Sequence, residues 1–210
     1  MKSTYELRCR WLSTIRRLLP VAAVAACVCG CAGGPGSSYE LLRAEDAGTM
    51  RVLPVPMVKQ TGPRACGAAA MEMVLRYYNK PVRQQDIMKQ IDRGDPGGLS
   101  AKDMAAVAKG QGLQAFTVHG KIEELFGYLD RQMPLIVARR AKFLRGMGNH
   151  YMVLVGRSSD REYLVLNDPQ TGQVRVRQEK FLADWSEAQR FLMIVAPEEE
   201  RTRSRFPVAP

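Results

Sequence analysis

The segment Gln60–Tyr78, QTGPRACGAAAMEMVLRYY, constrains the rest of the chain more than any other stretch. Gly62 and Pro63 keep the approach extended or turned. Ala68, Ala69, Ala70, Met71, Glu72, Met73, Leu75 and Arg76 are good helix formers, so a helix begins close to Cys66. A thiol there meets the unpaired N–H groups and positive dipole end of the first turn, which favour thiolate over thiol. Gly67 leaves the approach to sulfur open, and Gln60 lies upstream, where its amide can turn toward an oxyanion. The alternative is that Cys66 is a small buried hydrophobe, as most free cysteines are.

What precedes this segment reads as an export signal. Met1 to Pro20 carries Lys2, Arg8, Arg10, Arg16 and Arg17 against Glu6, and an apolar run from Leu18 to Val28 follows, too short for a membrane span. The run ends in CVCGCAGGPGSS, which resembles a bacterial lipoprotein signal. Val28-Cys29-Gly30-Cys31 fits that pattern and so does Val24-Ala25-Ala26-Cys27; Cys31 is the preferred lipidation site and Cys27 the alternative. The resemblance implies a protein anchored by lipid in the outer membrane and facing the periplasm, since neither cysteine is followed by aspartate.

Cleavage at Cys31 leaves Cys31 and Cys66 of the five cysteines, and acylation of Cys31 leaves Cys66 without a disulfide partner. A lone exported thiol is a liability unless it is buried or used. Two histidines and no second cysteine near Cys66 argue against a metal, and nothing calls for a cofactor. The formal charge is +10, of which the first 30 residues account for +4, and no aromatic-rich basic motif points to nucleic acid.

The mature chain is expected to hold a flexible tether at 31–50, one domain at 51–197 and a disordered tail at 198–210. Val52–Val58, with two prolines, is at most an edge strand. Helices follow at Val82–Ile91 and Leu99–Ala108, the second capped by Ser100 with Asp103 in its first turn. Ala115–Val118 reads as a strand and Lys121–Leu129 as a helix; Pro134–Ala138, His150–Gly156, Tyr163–Asn167, Val174–Arg177 and Phe191–Val195 read as strands, with a helix at Glu179–Trp185. Helices first and an antiparallel sheet second make an α+β fold.

A cysteine nucleophile needs a base and a group that orients it. His119, before Gly120, belongs in a surface turn, whereas His150 opens the apolar strand HYMVLVG. If a turn centred on Ser159 joins that strand to the next, His150 falls opposite Asp168, with Cβ atoms roughly 4.5–5.5 Å apart. An aspartate so placed fixes the imidazole tautomer and steadies the imidazolium. The alternatives are a satisfied core histidine and an aspartate that merely starts the turn Asn167-Asp168-Pro169.

Together these residues resemble the bacteriocin-processing, double-glycine leader peptidases, a papain-like family of cysteine peptidases. The similarity runs from Gln60 to Trp185, through CGAA, GLSAKDMAAVAKGQGL, Pro-Leu-Ile-Val, NHYMVLVG and NDPQTG. It implies Cys66 as nucleophile, His150 as base and then acid, Asp168 as orienter and Gln60 as oxyanion donor, in a papain-like architecture acting on peptides or proteins. Arg64-Ala65 stand where many members carry an acidic residue before the cysteine. The chain also holds no GxxxxGK[ST] loop of an export ATPase, so export machinery enters only as a partner and the double-glycine substrate does not carry over with the activity. A catalytically silent peptide-binding module, and an acyltransferase or cell-wall amidase with the same triad, are the alternatives. The basic stretch Arg139–Asn149 is expected to be a flexible loop at the rim of the cleft.

Overall fold

The computed structural model describes residues 38–46, 48–91, 98–143 and 146–199. The expected signal peptide, both candidate lipidation residues, Cys27 and Cys31, and the tail from residue 200 on lie outside the described residues. In chain order the elements are β1 (Glu40–Leu41), β2 (Met50–Val52), α1 (Cys66–Tyr77), α2 (Gln84–Ile91), α3 (Ala101–Gly110), β3 (Gln114–His119), α4 (Ile122–Asp130), β4 (Leu135–Phe143), β5 (Gly146–Ser158), β6 (Tyr163–Asp168), β7 (Gly172–Arg177), α5 (Gln178–Glu187) and β8 (Phe191–Ala196). A short 3-10 turn, Ala44–Asp46, lies between β1 and β2.

All pairings are antiparallel, in the order β1-β7-β6-β5-β4-β8-β3, with β2 on the part of β5 that β4 does not reach. Alternation along the strands divides the apolar residues between two faces. One face, with Ile136, Val153, Val165, Met193 and Val195, packs on α1. The other, with Leu135, Met152, Leu154, Leu164 and Leu166, packs on Leu125 and Leu129 of α4 and on Phe181 and Trp185 of α5. Every residue of α1 from Cys66 to Leu75 is buried. Apart from Glu72 these residues are small or apolar, as a helix surrounded by core requires, and the three successive alanines let neighbours approach closely. This α+β, papain-like fold is the one the sequence predicts.

Two stretches differ from expectation. Residues 38–50, placed in a tether, are tied to the sheet: Glu40 faces Arg175, Met50 faces Ser158, and Arg175 makes ion pairs with Glu40 and Asp46. Gly and Ser dominate only the earlier part of that segment, and the apolar residues that dock lie at its end. Of the basic stretch 139–149, the described residues are strand rather than loop: Arg139–Phe143 continue β4 and Gly146–Asn149 begin β5, paired from Arg139↔His150 to Phe143↔Gly146.

A β-bulge in β5 sets the geometry of everything that follows. Arg157 faces Leu164 and Gly156 faces Val165, but Leu154 faces Leu166 and Val153 faces Asn167, so Val155 is an extra residue. Without that bulge, with Val155 kept and paired in the ladder, the register at Arg157 would bring Val153 opposite Asp168, and His150 would lie on the opposite face from Asp168. With it, the residue opposite Asp168 is Met152, two positions from His150 and on the same face. β2 docks at this point: Leu53 N–H donates to Val155 O (2.8 Å), and a Cβ on Gly156 would lie 2.3 Å from Arg51 O.

Candidate active site

Cys66 is the first residue of α1 and is buried. Among the described residues no side chain caps this helix and no acidic residue lies in its first turn. The first i→i−4 bond at its start is Ala69 N–H to Ala65 O (2.9 Å), so the N–H groups of Cys66, Gly67 and Ala68 have no intrahelical acceptor. They and the dipole end face the thiol. The chain reaches this point through Arg64, whose φ of 68° is in the left-handed region. A Cβ on Gly98 would lie 2.7 Å from Arg64 O, so glycine permits the close approach.

His150 is 2 % exposed, and its Nε2 is 2.8 Å from Asp168 Oδ1. The two residues are diagonal neighbours rather than directly opposed, and the imidazole and carboxylate span the offset. Burial by itself would push the imidazolium pKa down; hydrogen bonds and charge from Asp168 and Cys66 more than reverse this and raise it to about 9. For Asp168, burial pushes up, but the hydrogen bond and charge of His150, with the Gln170 N–H and Thr171, bring it down to about 2. With Nε2 on Asp168, Nδ1 is the nitrogen left for the thiol. The arrangement stabilises an imidazolium and can hold a thiolate beside it.

The turn after Asp168 serves two purposes. Gln170 N–H (2.7 Å) and Thr171 N–H (3.4 Å) donate to Asp168 Oδ1, which fixes the carboxylate. Pro169 O accepts the Gln60 N–H (2.9 Å), and Gln170 O accepts from Lys59 Nζ (3.0 Å), so the Gln60 loop hangs on the same turn. Gln60 Nε2 donates one hydrogen to Gly62 O (2.9 Å), which leaves its second hydrogen for another acceptor.

Gln84, which the sequence does not mark out, holds the Gln60 loop from the other side. Its Nε2 donates to Lys59 O (2.7 Å) and its Oε1 accepts from Thr61 N–H (2.9 Å), so it grips the residues flanking Gln60. Its own N–H donates to buried Glu72 of α1 (2.8 Å). The only local signal is a glutamine at the start of an amphipathic helix.

A cleft of about 410 Å³ opens beside Cys66. Arg64, Gly98 and Leu99 form one side and the β4–β5 hairpin, with Arg140, Phe143 and Met147, the other. Arg140 donates to Asn149 Oδ1 (3.1 Å). His119 takes no part: it is exposed at the end of β3, with Nδ1 bonded to Gln189 O at 2.6 Å. Among the described residues no group of His, Cys, Asp and Glu can hold a metal, and no helix is long and apolar enough to cross a membrane.

No curated protein sequence matches the chain. Solved structures do. The peptidase domain of Streptococcus ComA, a bi-functional ABC transporter, is 24% identical with a TM-score of 0.56, over 69% of this chain and 99% of that one. A C39-like peptidase from Bacillus anthracis is 21% identical with a TM-score of 0.57, over 70% and 98%. A double glycine motif protease of an AMS/PCAT transporter, solved in complex with its leader peptide, is 24% identical with a TM-score of 0.55, over 76% and 99%. At these identities the likeness establishes the fold. The model of the peptidase C39 family matches residues 54–200, which span Cys66, His150 and Asp168 and most of the chain, and on that match this chain belongs to the peptidase C39 family and is a cysteine peptidase.

Proposed function

We propose that the protein cleaves peptide bonds with Cys66 as nucleophile, His150 as base and acid, Asp168 as orienter and Gln60 as oxyanion donor. The observation that carries this reading is the buried His150 ring, bonded through Nε2 to Asp168 and close enough to Cys66, at the uncapped start of a helix, for the two groups to act on each other. The Cys66 thiolate attacks the substrate carbonyl carbon, and the carbonyl π electrons move to oxygen. The Cys66 N–H and the second amide hydrogen of Gln60 stabilise that oxyanion. The tetrahedral adduct collapses, the C–N bond breaks, and His150 Nδ1 gives its proton to the leaving amine, which leaves a thioester. His150 then takes a proton from water, hydroxide adds to the thioester, and the C–S bond breaks to release the acid and the thiolate.

Peptide as the substrate class is supported by the structural neighbour bound to a leader peptide and by the cleft beside Cys66. The N-terminal sequence supports an exported protein with a lipid on Cys31, or alternatively Cys27, anchored in the outer membrane. Incubation of the full chain with a peptide library, read by mass spectrometry, tests the chemistry. New termini bearing one water are expected with the wild type and none with Cys66→Ala. Products joined to another nucleophile would replace hydrolysis by acyl transfer, and retention without cleavage would indicate a binding module. Labelling with a clickable fatty acid is expected to be lost on Cys31→Ala and kept on Cys27→Ala; the reverse would move the anchor.

A further inference from the structure

The segment ahead of the matched family region places one aromatic ring behind the His150–Asp168 pair. Tyr39 immediately precedes β1 and packs against the cluster that contains Met152 and Leu154, on the face that His150 shares. The Arg139 guanidinium carbon lies 5.5 Å from the centroid of its ring. Arg139 is the residue directly opposite His150 on β4. Tyr39 Oη and Arg139 Nε are both buried without a hydrogen-bond partner among the described residues. Burial, then the charge of Asp184, raises the phenol pKa, and Arg139 and Asp168 are both close enough to act on it.

This arrangement has a physical hazard. A guanidinium across a strand pair from an imidazolium repels it, and its five N–H donors suit the Asp168 carboxylate better than one ring N–H does. Were Arg139 to take Asp168, His150 would lose the anion that keeps it protonated. The face of an aromatic ring offers the guanidinium another partner.

We propose that Tyr39 is a positioning residue for the His150–Asp168 pair, its ring holding the Arg139 guanidinium away from Asp168. The proposal rests on the site described above. The groups that face His150 are Asp168 from β6, Cys66 from α1 and Arg139 from β4; behind them stand Tyr39 and Asp184 of α5, the latter paired with Lys180. Since Tyr39 lies outside residues 54–200, the hold on Arg139 comes from a segment that the family region does not include.

The test is the pH dependence of Cys66 alkylation by iodoacetamide in the full chain, followed on the Cys66 peptide by mass spectrometry so that other cysteines do not contribute. Tyr39→Leu keeps the apolar packing and removes the π face. It is expected to raise the alkylation midpoint by about one pH unit, a roughly tenfold loss of reactivity below the midpoint. Tyr39→Phe restores the wild-type curve, and so does adding Arg139→Gln to Tyr39→Leu, because the competing cation is gone. An unmoved midpoint in Tyr39→Leu overturns the proposal, as does a shift that persists in the double variant, which marks a packing defect. A wild-type Cys66 that titrates as an ordinary thiol with or without His150→Ala overturns the site itself, and that result is visible before any Tyr39 variant is made.

Discussion

The two histidines of the chain both sit in strands, His119 at the end of β3 and His150 within β5, and both have a ring nitrogen engaged, yet only one meets a carboxylate. His119 is exposed, and its partner is the Gln189 carbonyl at 2.6 Å. His150 is buried, and its partner is the Asp168 carboxylate at 2.8 Å, itself held by the turn that follows it. A carbonyl fixes a tautomer and does little for the charged ring, whereas a buried carboxylate does both. The difference between the two is therefore the charge of the partner and the exclusion of water.

The most severe way to break the comparison is to remove each ring. His150→Ala is expected to lower kcat/KM on a cleaved peptide by roughly 10³-fold or more, while His119→Ala stays within about a factor of two. Equal losses would show that the contrast has no catalytic meaning. Asp168→Asn gives His150 a neutral partner like that of His119. A fall of roughly 10²-fold or more is expected, and the alkaline limb of the pH–rate profile should move down from about 9 toward 6.5.

The same contrast governs stability. His150 binds its proton more tightly folded than unfolded, so its contribution is complete below pH 6.5 and is lost as pH rises through about 9. Asp168 is shifted the other way: its contribution is present above 3.8 and is lost as pH falls through about 2. Urea melts are thus expected to lose on the order of 2 kcal/mol between pH 6.5 and 9 in the wild type and in His119→Gln. In His150→Gln that alkaline decline should be absent. The smallest effect separates the two sides of the site: Gln84→Leu loosens the Gln60 loop and should lower kcat about tenfold with the Cys66 titration unchanged. A shifted titration would tie Gln84 to the histidine pair instead.

What could be read in the sequence follows from how local each signal is. The α1 start at Cys66 and the Ser100–Asp103 capping box of α3 depend on residues three or four apart, and the structure places both where the sequence does. The His150–Asp168 meeting depends on one hairpin and was legible apart from its register: the turn is centred between Asp160 and Arg161 rather than on Ser159, and the bulge at Val155 shifts the pairing back by one residue. Gly156, an isolated glycine in a strand, was the available hint of the bulge. Gln84 was not legible because its contacts reach back to residues 59 and 61 across α1. The docking of residues 38–52 was not legible either, since its partners in β5 and β7 are more than a hundred residues away.

The bulge at Val155 gives this hairpin arm one position at which its length can change without moving the site. Exchange of Leu154 for another aliphatic residue keeps both faces of the sheet as they are. Deletion of Val155 restores an uninterrupted ladder and still leaves Leu154 opposite Leu166 and Val153 opposite Asn167, so the histidine and the aspartate stay on one face. An added residue drawn into the ladder between Tyr151 and Leu154 sends them to opposite faces. In a lineage carrying this fold, loss of one residue at the bulge should therefore be tolerated, while single-residue insertions between Tyr151 and Leu154 should be purged unless a second bulge absorbs them.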